Sequence, residues 1–231
     1  MIPEKPIAIP TADHSFTLYL PHLDEHYHSV KGALSESLHV YIHTAFRAVD
    51  KPETEVFECG FGTGLNAFLT LLECEKSGRR VLYRVVEAYP LAAETAESLG
   101  YPQAAAPGNA EAERLFSLLH RCDWDRPVAI TPRFTLHKIS GDFTTCRIAE
   151  NSCDIIYYDA FAPDKQPEMW SEELLGRVAR ALRPGGVLST YCAKGEIRRR
   201  LARAGLTVER TAGPPGGKRE ILKALRPESS V

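Results

Sequence analysis

The stretch from Glu55 to Asn66, E-V-F-E-C-G-F-G-T-G-L-N, constrains the chain more than any other. An apolar run ends in Gly60, Gly62 and Gly64, and a helix-like segment, Leu65 to Lys76, follows at once. Strand, tight glycine turn and helix in that order bring backbone close to a ligand and aim helix N-terminal N–H groups at it. Such turns also join strands to helices where nothing binds. A dinucleotide fingerprint requires G-x-G-x-x-G after the strand. Here the third glycine comes one residue early, and Leu65 stands where the last glycine belongs.

The rest of the chain alternates. Strands are predicted at 55–59, 81–87, 133–140, 153–159, 187–192, 206–211 and 219–225. Helices are predicted at 65–76, from near Pro90, at 171–182 and at 195–204. Strands alternating with helices imply a parallel sheet covered on both faces. The run C-D-I-I-Y-Y-D is apolar enough for a strand buried on both sides. The turn G-P-P-G-G at 213–217 makes the last two strands an antiparallel hairpin. The expected fold is therefore α/β and Rossmann-like, with a mostly parallel seven-stranded sheet ending in a hairpin.

Residues 1–52 stand outside this alternation. F-T-L-Y-L at 16–20 reads as a short strand, 21–34 as a loop rich in His and Tyr, and 35–49 as a helix. They form an N-terminal cover on the substrate side of a main domain, 53–226. That domain carries a helical insertion at about 101–132 with one helix, Asn109 to Cys122, and 227–231 is a tail.

With 231 residues, 44% hydrophobic, the chain suits one α/β domain with an appendage. It has no apolar run of about 18 residues, so no membrane helix is expected. M-I-P-E-K-P-I-A-I-P lacks the pattern of a signal peptide. Six cysteines, none in C-x-x-C, read as buried free thiols in a reducing cytosol, and the expected location is cytoplasmic. Net charge is -2, but Lys194 to Arg226 holds ten Lys/Arg against three Glu. A basic end on an acidic body suggests an anionic partner, although the run I-R-R-R-L-A-R equally suits a solvated helix face.

In an open parallel sheet the ligand lies beyond the carboxyl ends of the strands. Four acids stand there: Glu58, Glu87, Asp142 and Asp159. A carboxylate at the second strand end can accept two ribose hydroxyls, and one at the third can accept the exocyclic amine of adenine. Each alone is an ordinary polar strand end; the set of four beside a glycine turn points to a cationic ligand. Asp159 opens D-A-F-A-P, followed by Pro167, Met169 and Trp170. An amine must be neutral to attack an electrophile, so a carboxylate that accepts its N–H bond can orient it and take the proton. Phe161 and Trp170 can stack on a flat base, or serve as core.

G-x-G-x-G is the spacing that S-adenosyl-L-methionine (SAM) methyltransferases place around the methionine part of the cofactor, and the hairpin-ended sheet is theirs too. E-C-G-F-G-T-G-L-N, Y-D-A-F-A-P-D-K-Q-P-E-M-W, R-P-G-G-V-L-S-T-Y and G-G-K-R-E resemble one family closely. It is the methyltransferase that completes 5-methylaminomethyl-(2-thio)uridine at the tRNA wobble position, as the methyltransferase half of bifunctional MnmC or as stand-alone MnmD. D-E-H-Y-H-S-V-K-G-A-L-S-E-S at 24–37 resembles the stand-alone N-terminus.

The resemblance implies a set of roles. Gly60, Phe61, Gly62, Thr63 and Gly64, with Glu58 and Asn66, would hold the methionine part of SAM. Glu87 with Ala88 would hold the ribose, and Asp142 the adenine. Asp159 would face the aminomethyl nitrogen. Phe161, Pro163 and Trp170 would meet the base. Lys218 and Arg219, with Arg198 and Arg199, would meet tRNA phosphates. The chain lacks room for the flavin oxidase half of the bifunctional relative, so a separate enzyme is expected to supply the aminomethyl-uridine. A monomer is expected, and no metal: His26 and His28, or His39 and His43, lack matching further ligands. The loop Asp24 to Gly32, with His26, Tyr27 and His28, is either a lid over the substrate or a plain surface loop. Rival readings are an aminopropyltransferase, a nicotinamide oxidoreductase (disfavoured by Leu65) and a SAM-binding subunit without activity (disfavoured by Asp159).

Overall fold

The computed structural model describes residues 5–228. The chain opens with a small antiparallel sheet of β1 (Ile7–Pro10), β2 (Phe16–Leu20) and β3 (Glu25–His26). Helix α1 (Ala33–Ser37) runs on as a π-helical turn, Leu38–His43, and a short 3-10 turn, Phe46–Ala48. The main sheet and its helices follow: β4 (Glu53–Cys59), α2 (Leu65–Ser77), β5 (Arg80–Glu87), α3 (Ala93–Glu97), α4 (Tyr101–Ala105), α5 (Ala110–Arg121), β6 (Pro127–Ala129) and β7 (Phe134–Ser140). The second half holds β8 (Cys153–Tyr158), α6 (Glu172–Ala181), β9 (Leu182–Thr190), α7 (Gly195–Arg203), β10 (Thr207–Ala212) and β11 (Glu220–Leu225).

The strand order is β10-β11-β9-β8-β4-β5-β7-β6. The five strands β9, β8, β4, β5 and β7 are parallel, and β11 runs antiparallel to both β9 and β10. From β4 the chain winds first towards β5 and β7, then returns to β8 on the other side. The order therefore reverses between β4 and β8, and their carboxyl ends open the crevice where ligands of such sheets bind.

Period-two alternation builds a core on each face. Val56, Tyr83, Ile155 and Tyr157 pack on one side with α2, α5 and the N-terminal helical turn. Phe57, Val86, Ile156 and Tyr158 pack on the other with α6 and α7. All six residues of β8 are buried, as a central parallel strand requires. The N-terminal segment shares the first core through Val40, Tyr41, Ile42 and Phe46. Tyr41 stacks at 5.0 Å on Tyr157, and Ser189 Oγ donates to the Val40 carbonyl at 2.7 Å.

Several boundaries differ from the sequence reading. The main sheet has eight strands rather than seven, because β6 adds an antiparallel edge to β7. The helix expected over 35–49 is widened in the middle, where Thr44 donates both its N–H and its hydroxyl to the His39 carbonyl five residues back. The helix expected from Pro90 begins at Ala93. R-P-G-G lies inside β9 instead of before it: Gly185 takes φ 75°, and a register shift opposite Cys153 and Ile155 absorbs the irregularity. The extreme tail, 229–231, lies outside the described residues.

Candidate active site

The glycine turn is clamped from two sides. Gly60 N–H donates to the Val86 carbonyl at 3.0 Å, which continues the sheet. Phe61 and Gly62 N–H groups both donate to Glu87 Oε2 at 3.0 Å, and Glu87 Oε1 accepts from Tyr89 N–H at 2.7 Å. Gly64 has φ 72°, and a Cβ there would stand 2.6 Å from His120 Nε2. A Cβ on Gly62 would meet the Tyr27 ring at 3.1 Å. Both positions thus need glycine for conformation or for space. The Phe61 ring lies against Gly64 of the same turn, 5.0 Å from His120 and 6.1 Å from Trp124. Burial and the Lys138 charge lower the His120 pKa to about 4, so the imidazole under the turn is neutral.

Beside the turn lies a buried acidic cluster. Asn66, in the first turn of α2, donates its amide nitrogen at 2.8 Å both to Glu58 Oε1 and to Asp159 Oδ2. Tyr83 hydroxyl donates to the other Glu58 oxygen at 2.7 Å. Burial pushes Glu58 well above the usual carboxylate range, against these two bonds. Burial also raises Asp159, opposed by its neighbours His28, Tyr41 and Asn66. Asn66 Oδ1 is buried and has no hydrogen-bond partner among the described residues. An unfilled acceptor among carboxylates fits a ligand that carries an ammonium or sulfonium charge, which is the chemistry of SAM. Ala88 and Asp142 are exposed at the rim. Asp142 Oδ1 accepts from Thr144 N–H and Oγ–H at 2.7 Å, and Gly141 N–H donates to the Glu87 carbonyl at 3.0 Å.

Above Asp159 opens a cavity of about 300 Å³. Its walls are the segment 25–30, Glu36, the loop from Asp159 to Ala162, Tyr191 and Lys218. The N-terminal segment therefore roofs the site. His28 Nε2 bonds Thr63 Oγ1 at 2.9 Å, and Tyr27 meets Phe161 edge-on with ring centroids 5.2 Å apart. Lys165 pairs with Asp24 at 3.7 Å across the same seam. His26 packs on Tyr19 at 4.8 Å, and His39 donates to the Ala212 carbonyl at 2.7 Å.

Two residues expected at the substrate have surroundings that the sequence alone does not show. Trp170 is fully buried, and its indole N–H donates to the Phe161 carbonyl at 2.7 Å. No ring face of Trp170 is open for stacking; it braces the loop that carries Asp159, in which Phe161 and Pro163 are partly buried. Lys218 is exposed like its neighbour Arg219, but it is engaged by the cavity wall. Its ammonium lies 3.0 Å from Glu36 Oε1 and 3.8 Å from the centroid of the Tyr191 ring. Arg198, Arg199 and Arg219 are exposed. Arg200 is held by Glu196 and the Trp170 carbonyl, and Arg203 by Glu172. Glu36, Tyr41 and Tyr191 join the site without a warning in the sequence: two lie on the N-terminal helical turn, where polar and apolar positions look like ordinary helix periodicity.

Residues 123–227 match a family model described as S-adenosyl-L-methionine-dependent methyltransferase. The tRNA 5-methylaminomethyl-2-thiouridine biosynthesis bifunctional protein MnmC of Pseudomonas fluorescens is 32% identical over 234 residues, covering 96% of this chain and 35% of that protein. MnmC of Stutzerimonas stutzeri is 34% identical over 214 residues, covering 87% and 32%. The chain thus spans about a third of the length of the curated relatives it matches. Among solved structures, MNMC2 from Aquifex aeolicus superposes with a TM-score of 0.77 at 23% identity, over 98% of this chain and 73% of that one. Spermidine synthase from Thermotoga maritima shares the fold at a TM-score of 0.54 and 16% identity, over 95% of this chain and 72% of that one. Among the described residues no helix is long and apolar enough to cross a membrane. The chain thus shares the α/β fold of these structures, matches an S-adenosyl-L-methionine-dependent methyltransferase family model over its C-terminal part, and is similar over most of its length to about a third of each MnmC protein.

Proposed function

We propose that the chain methylates the amino nitrogen of 5-aminomethyl-(2-thio)uridine at the wobble position of tRNA, giving 5-methylaminomethyl-(2-thio)uridine. The observation that carries this reading is the placement of Asp159. It lies at the reversal of the sheet, bonded to Asn66 of the glycine-turn helix and open to the roofed cavity. One carboxylate therefore touches both the expected cofactor side and the expected substrate side.

Bound SAM would supply an electrophilic methyl group on a positively charged sulfur. The glycine turn from Gly60 to Gly64, Glu58 and the free acceptor of Asn66 would hold its methionine part, Glu87 with Ala88 its ribose, and Asp142 its adenine. Asp159 accepts the N–H of the incoming amine, aims the lone pair and takes the proton that methylation releases. Burial raises its affinity for that proton and brings it closer to the amine it serves. Tyr27 and Phe161 flank the cavity with aromatic surface suited to a flat base. Arg198, Arg199 and Arg219 lie on the surface, where phosphate contacts would give salt-dependent affinity.

The test is methyl transfer from labelled SAM to tRNA that carries 5-aminomethyl-uridine, beside unmodified tRNA and free polyamines. Label confined to the aminomethyl tRNA is the expected result. Label in a polyamine, or in unmodified tRNA, would replace this reading.

A further inference from the structure

Lys218 and Glu36 occupy the substrate cavity, yet no step of the methyl transfer uses them. Their arrangement is built rather than incidental. Glu36 is 6% exposed, and its Oε2 accepts from Ser29 N–H at 2.8 Å while Oε1 faces the Lys218 ammonium at 3.0 Å. The same ammonium sits over the Tyr191 ring, and Tyr191 hydroxyl donates to the Ala160 carbonyl at 2.8 Å. That carbonyl belongs to the loop that starts at Asp159. A cation and an anion are thus held side by side, both indexed to the residue that meets the amine. A half-exposed lysine pairing across 182 residues of sequence gains little stability from the ion pair itself.

We infer that Lys218 and Glu36 read the base edge of the substrate and select uracil. This rests on the tRNA reading proposed above. Uracil presents an acceptor, O4, next to a donor, N3–H, and O4 is on the ring carbon adjacent to the one bearing the aminomethyl group. With that group at Asp159, the O4 and N3–H edge falls on the wall beyond it. The ammonium has donors left after Glu36 and gives one to O4. The carboxylate has lone pairs left after Ser29 and Lys218 and accepts N3–H. Cytosine reverses both signs at these positions: an amino donor would meet the ammonium, and a bare ring nitrogen would meet the carboxylate. Bases in single-stranded anticodon loops are read in this way, on their hydrogen-bonding edges. Lys218 is then a specificity-determining residue, not a phosphate contact.

The experiment compares kcat/KM for two tRNAs, one assembled with 5-aminomethyl-uridine and one with 5-aminomethyl-cytidine at the same position. Wild type, Lys218→Met and Glu36→Gln are assayed with SAM affinity and melting temperature as controls of folding. Wild type should favour uridine by more than about 100-fold. Lys218→Met should lose about 10- to 100-fold on uridine and little on cytidine, so that the preference narrows, with SAM affinity unchanged. An equal loss on both bases, or an unchanged preference, would overturn the inference while leaving the methylation reading intact. Wild type that labels neither tRNA but still binds SAM would remove that reading, and this inference with it.

Discussion

His28 Nε2 lies 2.9 Å from Thr63 Oγ1, with both residues buried. This bond ties the N-terminal roof to the glycine turn. The roof side is itself fixed, because Thr17 Oγ1 both accepts from His28 N–H at 2.9 Å and donates to its carbonyl at 3.1 Å. Thr63→Val keeps the shape and removes the hydroxyl, leaving a buried ring nitrogen without a partner. The cost should be about 1–3 kcal/mol. For a chain of this size that is a fall of several degrees in melting temperature, roughly 2–4 °C per kcal/mol. SAM affinity should fall as well, since the turn loses its brace. Unchanged melting temperature and unchanged affinity by calorimetry would show that the roof is held by other contacts.

Asp159→Asn keeps the bond partners of the site but removes the proton acceptor. Loss of a positioned base typically costs about 10²–10⁴ in rate. The variant should therefore bind SAM within a few-fold of wild type while kcat falls by at least about 100-fold. A variant that transfers methyl groups at the wild-type rate would take the base role away from Asp159.

Cofactor binding should release protons. Burial raises Glu58 and Asp159 above their ordinary values of 4.5 and 3.8, so each holds a proton to higher pH in the folded protein than in the unfolded chain. Such groups lower stability as pH rises from the ordinary value towards the raised one, because the folded state binds more protons over that window. A cationic ligand beside them favours the ionised forms and expels the protons. Titrating SAM in buffers of different ionisation enthalpy should reveal net proton release, which Glu58→Gln reduces. The same variant should lose less stability than wild type as pH rises above about 4.5. Proton uptake on binding would contradict the assignment of these carboxylates to the cofactor side.

The glycine turn is legible in the sequence because its backbone demand is local: Gly60, Gly62 and Gly64 all take positive φ. The placement of Glu58, Glu87 and Asp159 at strand ends is legible because parallel strands present their carboxyl ends together, so a strand boundary already places a side chain. The surroundings of Trp170 are not legible in the sequence, because an indole beside such a loop stacks or serves as core equally well on paper, and its burial is a tertiary property. The direction of Lys218 is not legible in the sequence, because it is set by Glu36, 182 residues away. β6 was missed because three residues carry too little periodicity to announce a strand.

The far end of the sheet allows stability to be separated from activity. Asp154, at the start of β8, is 2% exposed and serves three donors: Lys51 Nζ at 2.6 Å, Glu55 N–H at 2.9 Å and Arg183 at 2.9 Å. Arg183 reaches on to Glu55, which also pairs with Arg84 at 3.1 Å. Breaking a fully buried pair costs about 3–5 kcal/mol, but Lys51 and Arg183 keep access to water, so Asp154→Ala should cost about 2–3 kcal/mol. Asp154→Asn keeps an acceptor for Glu55 N–H and should cost less. Neither change lies at the carboxyl ends of the strands, where Asp159 works, so kcat measured well below the melting temperature should stay within about two-fold of wild type. Urea denaturation of both variants, run beside the methyl-transfer assay, makes the comparison. A large fall in kcat at full folding would mean that this ion network sets the position of β8, and through it of Asp159.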